Sequence, residues 1–171
     1  LNPEEHDKGR GVQGVFDAVM RVITICQTIG MGIHLGMVVY KGYTKEEGFR
    51  SVVQFAIERQ ISLGLVPAVP LGGWEGRDDL LISAEDRKEM DKLHNQYPFI
   101  TSDNYNNKYH CCPAFKEIFT ITAFGEIMPC NFIHISFGDL RKEPLKKILD
   151  RSSKNKWFNV KYKGCVAAEN M

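Results

Sequence analysis

The 171 residues carry 22 lysines and arginines against 21 aspartates and glutamates, a net charge of +1, with 43% hydrophobic and 25% charged residues. That balance suits a globular chain with a sizeable core and removes any global electrostatic argument for a nucleic-acid partner. No apolar run approaches the roughly 18 residues that a membrane span needs.

The chain opens at Leu-Asn-Pro-Glu-Glu-His-Asp with no initiator methionine and no export signal, and its first residues read like the interior of a protein, so a fragment is expected. From Gly14 to about Thr28, Val15, Val19, Val22, Ile23 and Cys26 recur at helical spacing, and Gly30 closes the helix. Cys26 lies on that stripe and reads as a small core residue. Ile33 to Tyr40 is nearly continuous in apolar residues, the pattern of a strand covered on both faces. Thr44-Lys45-Glu46-Glu47 has the form of a capping box opening a helix that buries Phe49, Val52, Val53 and Ala56. A second buried run, Leu63-Gly64-Leu65-Val66, ends at Pro67 and Pro70.

This alternation of helix and strand with short connections predicts a parallel sheet built from βαβ units. Two repeats fill only about 70 residues, far short of the 200 or so that a closed barrel needs. Leu71-Gly72-Gly73-Trp74-Glu75-Gly76 follows the last strand; it lacks the spacing of a phosphate-binding motif and reads as a loop anchored by Trp74. Ser83-Ala84-Glu85-Asp86 caps a charged helix to about Gln96 that turns Met90 and Leu93 inward. Thr101 to Asn107 is polar and asparagine-rich, a connector.

Beyond the connector, Glu117 to Thr122 is β-branched and aromatic, Ala123-Phe124-Gly125-Glu126 supplies a turn, and Ile127-Met128-Pro129 returns as a short strand. This hairpin brings Cys112 and Cys130 together, in the pattern C-x12-G-x4-C. Pro144 to Asp150 reads as a short helix carrying a basic, solvated face of Arg141, Lys142, Lys146, Lys147 and Arg151. A helical Trp157-Phe158 pair precedes Cys165, which follows Gly164 in a loop. Five cysteines at uneven spacing, in a chain without an export signal, argue against a disulfide framework and for metal binding. Cys111, Cys112, Cys130 and Cys165 would suffice for an all-thiolate site; neighbours point in different directions, and Cys112 fits the spacing better than Cys111. His110 and His134 stand nearby as surface or packing histidines. Spacing alone does not separate zinc from an iron–sulfur centre.

Cys112-x12-Gly125-x4-Cys130, with its Gly-Glu-Ile-Met-Pro-Cys ending, resembles the C-terminal SPASM or twitch extension of radical SAM enzymes. Asn2-Pro3-Glu4-Glu5-His6-Asp7, Arg10-Gly11 and Gly14-Val15-Phe16 are similar to the segment after the fourth barrel strand of those enzymes, and Gly36 to Val39 and Val66 to Pro70 look like the next two strands. The resemblance implies an α/β fold: the C-terminal part of a partial TIM barrel over 1–80, a capping helix and connector over 81–109, and a small α+β twitch-like domain with a β-hairpin over 110–171. It implies an auxiliary [4Fe-4S] cluster on Cys112, Cys130 and Cys165, with Cys111 as the alternate ligand, and S-adenosyl-L-methionine in the full-length protein, its carboxylate contacted by Arg10. His6 and Asp7 would shape a strand-to-helix loop.

Two departures bear on this reading. The Cys-x3-Cys-x2-Cys loop that holds the cluster cleaving S-adenosylmethionine is absent, so this chain alone is not expected to start radical chemistry. After Cys130 the sequence reads Asn131-Phe132-Ile133-His134, without the further cysteine run of a full SPASM domain, which favours a single cluster. For the parent enzyme the resemblance implies a 5′-deoxyadenosyl radical acting on a substrate, a peptide by family frequency, with a ferredoxin or flavodoxin as electron donor, in the cytoplasm, and with neither nucleic acid nor membrane as partner. The competing readings are a zinc-stabilised binding module on Cys112, Cys130, Cys165 and a histidine, and a catalytically silent α/β domain with free thiols.

Overall fold

The structure, a computed structural model, describes residues 2–102, 112–158 and 165–168. The chain divides into two compact units, Leu1–Val66 with Ser83–Ser102, and Pro67–Ile82 with Asp103–Met171.

The first unit begins with helix α1 (Pro3–Arg10), where the sequence suggested a loop around His6 and Asp7. The Asn2 side chain accepts from the Glu4 and Glu5 amides at 3.0 and 3.3 Å, Pro3 sits where a missing N–H costs nothing, and Gly11 closes the helix in the left-handed region. Asp7 instead reaches forward, accepting the Gly14 amide and, at 2.8 Å, the Phe16 amide at the start of α2 (Val15–Thr28). The Phe16 bond is the largest of the effects that hold the Asp7 carboxyl below its ordinary pKa. The apolar stripe of α2 is only partly covered: Ile23 is buried, while Val19, Val22 and Ile25 are exposed and Cys26 is half-buried.

Strands β1 (His34–Val39), β2 (Ser62–Pro67) and β3 (Ile100–Ser102) form an open sheet in that order. β2 and β3 run parallel, with Leu63 opposite Ile100 and Leu65 opposite Ser102. β1 differs from expectation. Met37 and Val39 are buried, but His34, Gly36 and Val38 face solvent, so the strand is covered on one face only. A continuous apolar run permits burial on both faces, but what packs against the strand decides. β3 is also new: its last two residues, Thr101 and Ser102, fall within the stretch read as a connector, and three residues are too few to show a period. Helices α3 (Glu47–Arg59) and α4 (Ala84–Gln96) link the strands, turning Phe49, Val53 and Ala56, and Met90 and Leu93, into the interior. The observed class is mixed α/β with an open three-stranded layer; among the described residues no closed barrel is formed.

The capping box anticipated at Thr44 is not made. Tyr43–Lys45 is a 3-10 turn, and α3 starts at Glu47 with Glu46 at its N-cap and no side-chain cap bond. Thr44 is instead directed at Asp86, a fully buried carboxylate that accepts from the Thr44 hydroxyl at 2.6 Å, the Gly42 amide at 2.9 Å, and the Ser83 hydroxyl and amide at 2.7 and 3.0 Å. A charge out of water must find such partners or neutralise. Here burial pushes the carboxyl up, the four hydrogen bonds outweigh it, and the pKa falls to about 2. A box is made at Ser83, which the sequence read simply as a helix cap, and Asp86 ties the start of α4 to the 3-10 turn before α3.

In the second unit, 71–76 is a loop as read and 67–82 carries two 3-10 turns, but Val66 to Pro70 is not a strand beyond Pro67, and Trp74 is 40% exposed and does not anchor the loop. Strands β4 (Thr120–Ile121), β5 (Glu126–Met128) and β6 (Gly138–Asp139) form an antiparallel sheet with β5 in the centre. The turn between β4 and β5 is held by the Thr122 hydroxyl, which accepts the Phe124 and Glu126 amides, and by Gly125 at φ 79°, where a side chain would be strained. Helix α5 (Leu145–Ser152) lies against β6: a Cβ at Gly138 would come within 2.7 Å of the Ile148 side chain, so only glycine admits this approach. No described helix is long and apolar enough to cross a membrane.

Because the folded pKa of Asp86 is depressed, its contribution is present above the ordinary carboxylate pKa and is lost as pH falls through the folded value. Asp86→Asn is therefore expected to lower stability by about 2 kcal/mol near neutrality, and the gap from wild type should close between about pH 5 and about pH 2. Urea titrations across that range measure it; a gap independent of pH would contradict the assignment.

Candidate metal centre

The cysteine site is assembled within the second unit, from three places in the sequence. Cys112 opens the first. The Pro113 carbonyl accepts from the amides of Lys116, Glu117 and Ile118 at 2.9–3.2 Å, and the Phe115 amide donates to the Ile118 carbonyl at 2.8 Å. The segment read as a strand from Glu117 is thus largely a tight loop, and β4 is confined to Thr120–Ile121. Phe115 sits at φ 56°, a left-handed conformation uncommon for an aromatic residue. The Lys116 ammonium donates to the Cys112 carbonyl at 3.2 Å.

Phe115 packs edge-on against Phe137 and Phe158, with ring centroids 4.7 and 5.3 Å away, and these two meet each other at 5.7 Å. With Ala114, Ile133 and Val166 they surround Cys112, which is 5% exposed. Mutual edge-to-face packing of this kind adds about 0.5–1.5 kcal/mol per pair beyond burial. None of this was legible in the sequence beyond the Trp157-Phe158 pair, which is a turn rather than a helix; Phe158 is buried and Trp157 exposed.

Cys130 arrives from β5 through the buried Pro129 and is 7% exposed. The Phe132 amide donates to its Sγ at 3.4 Å, inside a turn that an isolated bridge between Cys130 and Ile133 closes. Burial pushes the thiol pKa up, opposed by the amides of Phe132 and Ile133 and reinforced by the field of Cys112. Cys165, half-buried, opens the turn 165–168. Burial raises its pKa, the amides of Ala167 and Ala168 lower it, and Cys112 and Cys130 raise it further. Each of the three thiols is therefore within electrostatic reach of the others. No disulfide joins the described cysteines.

Cys111 and His110 lie outside the described residues. His134 is exposed, its ring paired with the Asn131 carbonyl at 3.1 Å, as expected of a surface histidine. Cys26 belongs to the first unit, its Sγ 3.9 Å from the Met31 sulfur. Arg10 is exposed in the last turn of α1. The basic side chains around α5 are largely occupied in ion pairs: Arg141 with Asp139, Lys146 with Asp150, and Lys147 and Arg151 with Glu143.

Thiolate donors are taken by zinc and by iron–sulfur clusters alike. Zinc–sulfur bonds of about 2.3 Å in a tetrahedron require sulfurs within roughly 4 Å of one another. Among the described residues, no three His, Cys, Asp or Glu side chains are grouped closely enough to hold a single ion. A cluster spreads its ligands over several iron atoms, each held by its own thiolate.

Comparison with known proteins agrees. Residues 111–168 match the family SPASM, an iron-sulfur cluster-binding domain. No curated protein and no solved structure matches the chain. The segment that carries Cys112, Cys130 and Cys165 is thus of an iron–sulfur cluster-binding type.

Truncating Phe158 removes the ring in contact with both partners of the aromatic trio and is expected to cost about 3 kcal/mol in Phe158→Ala. Phe158→Leu should recover most of it. Urea unfolding monitored in the second unit measures both; equal losses would mean that volume at this position is unimportant.

Proposed function

We propose that residues 110–171 form an auxiliary [4Fe-4S] domain of a radical SAM enzyme, with Cys112, Cys130 and Cys165 as ligands and Cys111 as the alternate for the first. The observation that carries this reading is the match of residues 111–168 to an iron–sulfur cluster-binding family, over a segment in which three sequence-distant thiols lie near enough to bear on one another's pKa. SPASM domains are found in radical SAM enzymes, which supports an enzyme as the parent. In that parent residues 1–80, with β1 and β2 of the open layer, would belong to a partial barrel, Arg10 would contact the carboxylate of S-adenosylmethionine, and a peptide would be the substrate class.

When bound, a [4Fe-4S] cluster supplies either an anchoring point at an open iron or a site that takes up one electron. The chain's own residues define its surroundings. Phe115, Phe137 and Phe158 exclude water beside Cys112, and the backbone amides at Phe132 and Ala167 offer hydrogen bonds to sulfur. Burial and such bonds are the means by which a protein sets a cluster potential. Three protein thiolates leave a fourth position to Cys111, to another donor or to substrate.

Anaerobic reconstitution with iron and sulfide, followed by metal analysis and EPR, tests the reading. Cys112→Ala and Cys130→Ala are expected to lose most of the iron, Cys165→Ala to lose a substantial part, and Cys26→Ala to keep it. Stoichiometric zinc with no uptake of iron would establish the zinc-stabilised module instead.

A further inference from the structure

Helix α2 ends in a way that brings two sulfur atoms together, in the first unit and away from the cysteines of the second. Gly30 stands at φ 71°, its amide donates to the Gln27 carbonyl at 3.3 Å, and the Met31 amide donates to the Cys26 carbonyl at 2.8 Å. This pair of bonds wraps the chain back over the last helical turn, and residues placed as Cys26 and Met31 then meet through their side chains. Such contacts are commonly apolar. Here both partners carry sulfur, and the Cys26 Sγ lies 3.9 Å from the Met31 Sδ. Burial does not account for the pairing, because Met31 is 58% exposed and Cys26 only half-buried.

We propose that Cys26 and Met31 form a surface site for a soft, closed-shell monovalent cation of the copper(I) class. Distance is the first reason. Metal–sulfur bonds of about 2.3 Å place two donors of one ion roughly 4 Å apart when those bonds open to about 120°. The two sulfurs already stand at that separation. Donor type is the second. A thiolate with a thioether favours copper(I), whereas hard divalent ions take oxygen and zinc takes thiolate and imidazole in larger sets. Among the described residues no three His, Cys, Asp or Glu side chains are grouped for a metal, so nothing completes a zinc set here. Surroundings are the third. Val22 and Ile29 lie four residues before and three after Cys26, on its side of the helix, and both are exposed apolar side chains. Low polarity suits a complex without net charge, and a thiol that releases its proton to a monovalent cation forms one. The Gly30 and Met31 amide bonds also fix the backbone of both donors before an ion arrives, which lowers the ordering cost of binding.

Anaerobic titration of the 171-residue chain with copper(I), buffered by bathocuproine disulfonate, tests the site, with zinc(II) as the second probe. The methionine methyl carbons are labelled, and the Met31 resonance is identified by its loss in Met31→Leu. The other cysteines also take copper, so retention is read as a difference between variants. The Met31 methyl is expected to shift with copper(I), but not with zinc(II), and not with copper(I) in Cys26→Ser. Copper retained against the competitor should fall by about one ion per chain in Cys26→Ser and in Met31→Leu, and return in Met31→Cys, which restores a soft donor. A Met31 methyl that stays in place at saturating copper would overturn the proposal. So would retention in Met31→Leu equal to wild type, or an equal shift with zinc(II). The site uses none of Cys112, Cys130 and Cys165, so its failure leaves the cluster reading intact, and a failure of iron uptake leaves this site standing.

Discussion

The cysteine site depends on β5. It is the only strand of its sheet bonded along both edges, to β4 through Thr120 and Ile121 and to β6 through Gly138 and Asp139. Its central residue, Ile127, is completely buried, and Pro129 behind it is buried too. A strand so held has one register, because a slip of one residue would turn Ile127 to solvent. The position of Cys130 is therefore fixed by backbone bonds and by one buried isoleucine before any metal is present. Gly138 completes this arrangement by letting α5 approach closely enough for Ile148 to cover the sheet.

Around that fixed point the other thiols are brought in by packing rather than by pairing. Cys112 is placed by the loop over Pro113 and by the aromatic trio, and this trio requires Phe115 to occupy a backbone conformation that its side chain disfavours. A strained residue persists only when its surroundings over-determine it, and three mutually perpendicular rings do so here. Cys165 lies much later in the chain, and the Val166 beside it joins the same cluster of side chains. A thiol that is buried and near other thiols holds its proton, as the upward pKa shifts of Cys130 and Cys165 show. Loading a metal means releasing those protons, and the amides facing the two sulfurs offset part of that cost.

The first unit uses a different device. Asp86 is a single buried charge satisfied by four hydrogen bonds from two separate stretches of chain, and it explains why Thr44 does not cap its own helix. Removing any one donor would leave the charge underpaired, which gives a short polar network the authority to fix how α4 meets the turn before α3.

What the sequence determined by itself was the kind of local element and the thiol pattern. Helical spacing located α2, α3, α4 and α5, and the Gly125 turn located the hairpin, because these signals are local and periodic. The C-x12-G-x4-C spacing singled out Cys112 and Cys130, because a hairpin converts sequence separation into proximity. Tertiary structure alone decided the rest. β3 and β6 exist only because a neighbouring strand offers hydrogen bonds to two or three residues that carry no period of their own. Whether β1 was covered on one face or two depended on what packs against it. Which hydroxyl met Asp86, and which rings enclosed Cys112, were matters of long-range contact. The sequence thus singled out the cysteines, and the fold supplied their environment, since burial and the aim of backbone amides are properties of packed chain rather than of spacing.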